Sequence, residues 1–144
     1  MIRTVLAGIL LVFGCLTLQA QQSLVLNVKG TFFEDSVSGY EGWSNSNGDN
    51  FTKANYRYYN GVTYILMKPE QDMSVTFTCE AAVKKGTLDV IFLAGETPAE
   101  ELSFDANATK TAVITLKKGE TYKVMFKGNE TKGSYKCSWV TTPI

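Results

Sequence analysis

Met73-Ser74-Val75-Thr76-Phe77-Thr78-Cys79-Glu80 changes from apolar to polar at every step, and this alternation decides the fold. Successive Cβ atoms of a β-strand leave opposite faces of the sheet, so Met73, Val75, Phe77 and Cys79 share one face and Ser74, Thr76, Thr78 and Glu80 the other. The pattern continues outward from this stretch. Leu88, Val90 and Phe92 form an inward set, followed by Ala112, Ile114 and Leu116, then Tyr122, Val124 and Phe126, and finally Tyr135, Cys137 and Trp139. Short polar segments separate these sets: Lys84-Lys85-Gly86, Lys117-Lys118-Gly119-Glu120 and Gly128 to Gly133 all read as turns. Strands of this kind joined by tight turns predict an all-β, antiparallel β-sandwich.

Upstream, Asn60-Gly61 between Tyr59 and Val62 carries the strongest short-range hairpin signal, because a type I′ turn needs positive φ at both central residues. A hairpin there sets Ile65 and Met67 towards the core and leaves Arg57, Tyr59, Val62, Tyr64 and Leu66 on the reverse face. Leu24 to Val28 reads as a further strand. Thr97-Pro98-Ala99-Glu100 has the form of a helix start, with a capping Thr and Pro at the first helical position, and equally suits a short edge strand through Phe104. No internal repeat or linker divides the chain, and no helical periodicity extends beyond about two turns.

The first residues carry a different signal. Arg3 precedes an apolar run from Val5 to Leu18, which is too short for a spanning helix and fits a secretory leader. Residues 1–20 are therefore expected as a signal peptide cut after Ala20, and 21–144 as the single β-sandwich domain. Val12-Phe13-Gly14-Cys15 offers a second route, in which Cys15 is acylated and anchors the protein by lipid. Either route places the domain in the periplasm, at the cell surface or in the medium, with no transmembrane span. Fourteen Lys or Arg, one of them Arg3 in the leader, face 14 Asp or Glu, so no global field draws in nucleic acid. The chain has no His, which removes the commonest general base and a frequent metal ligand.

The segment Lys118-Gly119-Glu120-Thr121-Tyr122-Lys123-Val124-Met125-Phe126-Lys127-Gly128, with Lys132-Gly133-Ser134-Tyr135-Lys136-Cys137-Ser138-Trp139 after it, resembles the last hairpin of small exported bacterial β-sandwich proteins, many of them lipoproteins. The likeness spans about residues 60 to 140 and lies in turn and strand spacing. It implies a jelly-roll-like fold and no particular activity.

Four features could carry chemistry. Cys79 and Cys137 both fall on inward faces and would pair as a disulfide in an oxidising compartment, or serve as two buried thiols. Tyr40 and Trp43, with Asn45, Asn47 and Asp49 on a polar loop, are the residue types that recognise sugars: rings cover the C–H face of a pyranose and amides meet its hydroxyls. The alternative for this loop is a plug, with Trp43 tucked onto the sandwich. Tyr59 and Tyr64 on the reverse face of the expected hairpin could form an apolar contact surface. Six lysines against Glu120 and Glu130 between Lys117 and Lys136 give a locally basic face, which suits an acidic glycan or simply protects a strand edge. The carboxylates Glu96, Glu100, Glu101 and Asp105 make no convincing pair for glycoside hydrolysis, since Glu100 and Glu101 would point to opposite faces. Asp35-Ser36-Val37 resembles a short O-glycosylation acceptor.

The sequence thus predicts a non-catalytic, exported binding or envelope-associated module with no cofactor and no metal, carbohydrate being the first ligand class. The alternative is an assembly protein that binds an envelope protein through the aromatic face of Tyr59 and Tyr64.

Overall fold

A computed structural model describes residues 23–34 and 39–144. The expected leader, Cys15 and the Asp35-Ser36-Val37 motif lie outside the described residues. Eight strands form one hydrogen-bonded antiparallel network: β1 (Leu26–Phe33), β2 (Gly39–Glu41), β3 (Ser44–Asn47), β4 (Phe51–Pro69), β5 (Met73–Ala94), β6 (Thr97–Phe104), β7 (Ala108–Leu116) and β8 (Tyr122–Pro143). The order is β1-β4-β8-β5-β6, with β2 and β3 also on β4 and β7 also on β5.

Three of these strands are far longer than an ordinary strand: β4 has 19 residues, and β5 and β8 have 22 each. Each runs through a segment that the sequence marks as a turn, and this corrects the expected hairpins. Asn60-Gly61 lies inside β4, Lys84-Lys85-Gly86 inside β5 and Gly128 to Gly133 inside β8. Neither Asn60 nor Gly61 has the positive φ that a type I′ turn demands. A hairpin there would also pair β4 with itself, whereas both of its edges are occupied: β8 runs along one, and β1, β2 and β3 divide the other. The ladders slip instead, between Tyr56 and Gly61 in β4 and between Val83 and Thr87 in β5. Bulges of this kind bend a strand and let it pass from one sheet layer to the next.

The long strands thereby fold over themselves and build two layers. The first contains β2, β3, the early part of β4, the late part of β8, the early part of β5, and β7. The second contains β1, the late part of β4, the early part of β8, the late part of β5, and β6. Contacts across the layers join the two ends of a single strand. Phe77 meets Phe92 at 4.7 Å between ring centroids, both on β5, and Phe126 stacks on Tyr135 at 4.1 Å, both on β8. The result is the expected all-β sandwich.

The core matches the alternation read from the sequence. Met73, Val75, Phe77, Cys79, Leu88, Val90, Phe92, Ala112, Ile114, Leu116, Tyr122, Val124, Phe126, Tyr135, Cys137 and Trp139 are all buried, as are Ile65 and Met67. Each fully buried side chain of this size contributes about 1.5–3 kcal/mol by leaving water. Of the two readings at Thr97-Pro98, the edge strand is the one found. Lys117 to Glu120 is the turn expected, closed by Glu120 N–H donating to Lys117 O at 3.2 Å.

Glycine is required where the bent strands touch. Gly133 on β8 has φ 139°, a region hostile to side chains, and a Cβ there would overlap the Ala82 carbonyl of β5. Gly128 faces the ring of Tyr59, which lies where its Cβ would stand.

Candidate functional site

The bulge in β4 reverses which residues face inward. Before it, Thr52, Ala54 and Tyr56 are buried; after it, Tyr59, Thr63, Ile65 and Met67 are. Tyr59 is consequently a core residue with 0% exposure, not a member of the reverse face, and this corrects the aromatic contact surface expected around it. Its hydroxyl donates to Phe126 O and accepts from Thr63 N–H at 2.9 Å, with the Thr63 hydroxyl 3.2 Å away. Tyr64 does face outward. It stacks on Phe32 at 5.3 Å, and the Lys123 ammonium lies 4.4 Å from its ring centroid. Register aligns Phe32, Tyr64, Met125 and Ile91 in a row across the outer face of the second layer.

The loop expected to bind sugar is divided. Trp43 is half-buried and stacks on Tyr56 at 5.7 Å, with Tyr40, Tyr59 and Phe33 around it. Its Nε1–H donates to Asn45 Oδ1 at 2.9 Å. Trp43 therefore closes one side of the core, which is the plug arrangement. Asn47 is a tether: its amide donates to Gly30 O at 2.9 Å, and its Oδ1 accepts from the Thr52 hydroxyl at 2.6 Å, joining β1, β3 and β4. Asp49 is exposed beyond the end of β3. Tyr40, Trp43 and Tyr59 are thus brought together as packing, while Asn47, Asp49 and Tyr64 lie apart from them.

Burial pushes the phenols of Tyr56, Tyr59 and Tyr135 well above their ordinary pKa, desolvation being the largest cause for each. Tyr40 is pushed up to about 12 by desolvation and the nearby Glu34 charge. The Cys79 and Cys137 thiols face one another on paired positions of β5 and β8, with their sulfurs 2.9 Å apart. Hydrogen bonding to Cys79 and burial raise the Cys137 thiol well above the usual range, so it remains protonated.

A different region has the geometry of a binding site. On the outer face of the first layer, an open groove of about 590 Å³ crosses β4, β8 and β5 and reaches the β6–β7 connection. Lys53, Asn55, Glu80, Asn107, Thr109, Ser134 and Lys136 supply polar groups to its lining. The sheet register explains the assembly: Lys53 pairs with Lys136, and Lys136 in turn with Glu80, while Asn55 pairs with Ser134 in the next outward row. Asn107 is fixed at the margin because its Oδ1 accepts from Val83 N–H at 2.8 Å, leaving its amide hydrogens for other acceptors. Phe51, half-buried on the same face of β4, lies beneath the Lys53 and Lys136 ammoniums, which are 5.8 and 5.5 Å from its ring centroid.

None of these residues except Lys136 stood out in the sequence. The alternation of Phe51, Lys53, Asn55 and Arg57 with buried Thr52, Ala54 and Tyr56 was the available signal. Of the groove's lining, Glu80 is the sole carboxylate among the described residues. Glu96, Glu100 and Glu101 lie on or beside edge strand β6, where Glu101 N–H donates to Glu100 Oε1 at 3.2 Å.

No protein-family model and no curated protein matches this sequence. Solved structures do resemble it. The cleaved adhesin domain of Lys-gingipain from Porphyromonas gingivalis aligns with a TM-score of 0.57 and 10% identity, over 85% of this chain and 99% of that one. That likeness places the chain in the class of β-sandwich domains. A family 35 carbohydrate binding module from an environmental isolate aligns at TM-score 0.44 and 10% identity, over 86% of this chain and 94% of that one. A family 29 carbohydrate binding module in complex with mannohexaose aligns at 0.42 and 13%, over 85% and 94%.

Proposed function

We propose that this protein is a non-catalytic carbohydrate-binding module, exported by its leader, which takes a glycan into the groove on the outer face of the first layer. The observation that carries this reading is the groove itself: amides, a hydroxyl, a carboxylate and two ammoniums converge over central strands that cannot move independently. Ligand sites combine such a rigid concavity with a few placed polar groups. Sugar hydroxyls both donate and accept, and Asn55, Asn107 and Ser134 can do the same. One carboxylate suits binding and not hydrolysis, because glycosidases need two across the scissile bond.

Glycan-array and affinity-gel measurements test the reading. Wild type should be retarded, Asn55→Ala and Asn107→Ala should lose most of that retardation, and Tyr64→Ala on the opposite layer should keep it. A wild-type protein that engages no glycan would sink the proposal.

A second reading draws on the row Phe32, Tyr64, Met125 and Ile91. This partly exposed apolar line, flanked by Leu66 and Leu93, is a surface on which another protein could pack. It replaces the Tyr59-centred face expected from the sequence, and a concentration-dependent mass in light scattering that disappears in Tyr64→Ala would support it.

An exported chain meets an oxidising compartment, and there we expect Cys79 and Cys137 to close into a disulfide. The two thiols would lose two protons and two electrons to a disulfide-donating oxidant, forming one S–S bond. Attack requires a thiolate, which burial disfavours in the folded domain. Closure therefore belongs to the folding stage, while the sulfurs still reach solvent.

A further inference from the structure

We infer that the ligand of this face is a linear polysaccharide bearing carboxylates at intervals, lying along β4 and β8, an inference that rests on the glycan-binding reading above. Lys53 and Lys136 stand directly opposite one another on adjacent strands, where like charges destabilise the sheet. Lysines often protect strand edges from aggregation, but at this height β3 covers the far side of β4 and β5 covers the far side of β8. Edge protection therefore does not account for them. Glu80, the next cross-strand neighbour of Lys136, is one carboxylate against two ammoniums and does not balance both. Both ammoniums instead gather over the single ring of Phe51.

The arrangement is repeated further along the same strands. Lys85 pairs with Lys132, again cation against cation, and with Arg57 they line a second groove of about 530 Å³ that also contains Glu41 and Tyr58. Between the two cationic rows lies the uncharged pair Asn55 and Ser134. Lys136 and Lys132 are four residues apart, about 13 Å of strand at the usual rise. Counting Glu80 in the first row and Glu41 beside the second, each row keeps a net positive charge, and the uncharged row lies between them. The whole chain balances its charges, with 14 basic against 14 acidic residues, so this clustering is local and not a by-product of a basic protein.

The spacing favours a sugar polymer over a nucleic acid. A nucleic acid carries a charge on every nucleotide, one per about 3.4 Å of axis along each duplex strand, and single strands are held by open aromatic platforms. Here the cationic rows are much further apart, and Phe51 lies half-buried beneath ammoniums. A chain in which acidic and neutral sugars alternate fits: carboxylates meet the Lys53–Lys136 and Arg57–Lys85–Lys132 groups, and a neutral residue spans Asn55 and Ser134.

Titration calorimetry on the whole exported domain tests this with four probes: hyaluronan oligosaccharides, which alternate acidic and neutral sugars; oligogalacturonate, which is acidic throughout; mannohexaose; and a single-stranded DNA oligomer. Hyaluronan should bind most tightly, with affinity falling as salt rises. Lys53→Gln/Lys136→Gln and Arg57→Gln/Lys132→Gln should each weaken it about tenfold. Their melting temperatures should stay level or rise, since like-charge repulsion is relieved, which separates lost binding from lost folding. Tighter binding of oligogalacturonate or DNA would overturn the inference. Mannohexaose bound equally well by wild type and both Gln variants would overturn it while leaving the glycan-binding reading intact. Failure of all three saccharides would sink both.

Discussion

Replacing Gly133 by Ala tests whether β8 is one bent strand held in the middle of the sandwich or two strands joined by a free loop. The residue pairs with Tyr56 of β4 on one side and Val83 of β5 on the other, at φ 139°. An L-residue in that region costs about 1–3 kcal/mol. The added Cβ would also overlap the Ala82 carbonyl, a backbone atom that no side-chain rotation relieves. Moving the strands apart would lose one or two ladder hydrogen bonds at about 1 kcal/mol each. The total is about 2–5 kcal/mol, a large share of the 5–15 kcal/mol typical of a domain, and a melting temperature lower by about 8–20 °C. Gly119→Ala is the control. It has φ 79° in the turn before β8 but nothing within 4 Å of its added Cβ, so only the conformational cost of about 1 kcal/mol applies. Urea and thermal denaturation followed by circular dichroism measure both. Equal losses in the two variants would refute the reasoning, since a loop free of β5 has no carbonyl to strike.

Tyr59→Phe removes the hydroxyl that serves Phe126 O and Thr63 N–H in the core and should cost about 1–3 kcal/mol in urea denaturation, whereas Tyr64→Phe should be near neutral. Stability should fall at alkaline pH. The folded state holds the Tyr56, Tyr59 and Tyr135 phenols protonated above the ordinary value of 10.0, so their contribution is complete below pH 10 and is lost as the unfolded chain ionises above it. Each contributes a slope of about 1.4 kcal/mol per pH unit there, and phenolate absorbance should rise together with unfolding, not before it. Where Cys79 and Cys137 are bridged, reduction should lower stability by about 4 kcal/mol, given their sequence separation of 58 residues, and raise the mass by two hydrogens. An unchanged mass would show two thiols.

Much of the architecture was legible in side-chain alternation. The buried faces from Met73 to Trp139 follow from period two alone, because a strand has only two faces and one must leave water. The pairing of Cys79 with Cys137 could be suspected from both being inward, although only the β5–β8 register sets their sulfurs together. What misled was local turn chemistry. Asn60-Gly61, Lys84-Lys85-Gly86 and Gly128 to Gly133 carry turn-forming residues, yet each lies inside a continuous strand. Such residues ease a sharp change of direction, and a corner between layers needs that ease as much as a hairpin does.

The sequence by itself determined an all-β chain, its inward residues and the absence of an overall charge field. Tertiary structure decided where the three long strands bend, and with that bend the phase of β4, so that Tyr59 is core and Lys53 and Asn55 lie outward. It also decided that Lys53, Lys136 and Glu80 meet in one groove. Alternation is a property of neighbours along the chain and is written in its order, whereas a binding face is made across strands by a register that only the packed sheet fixes.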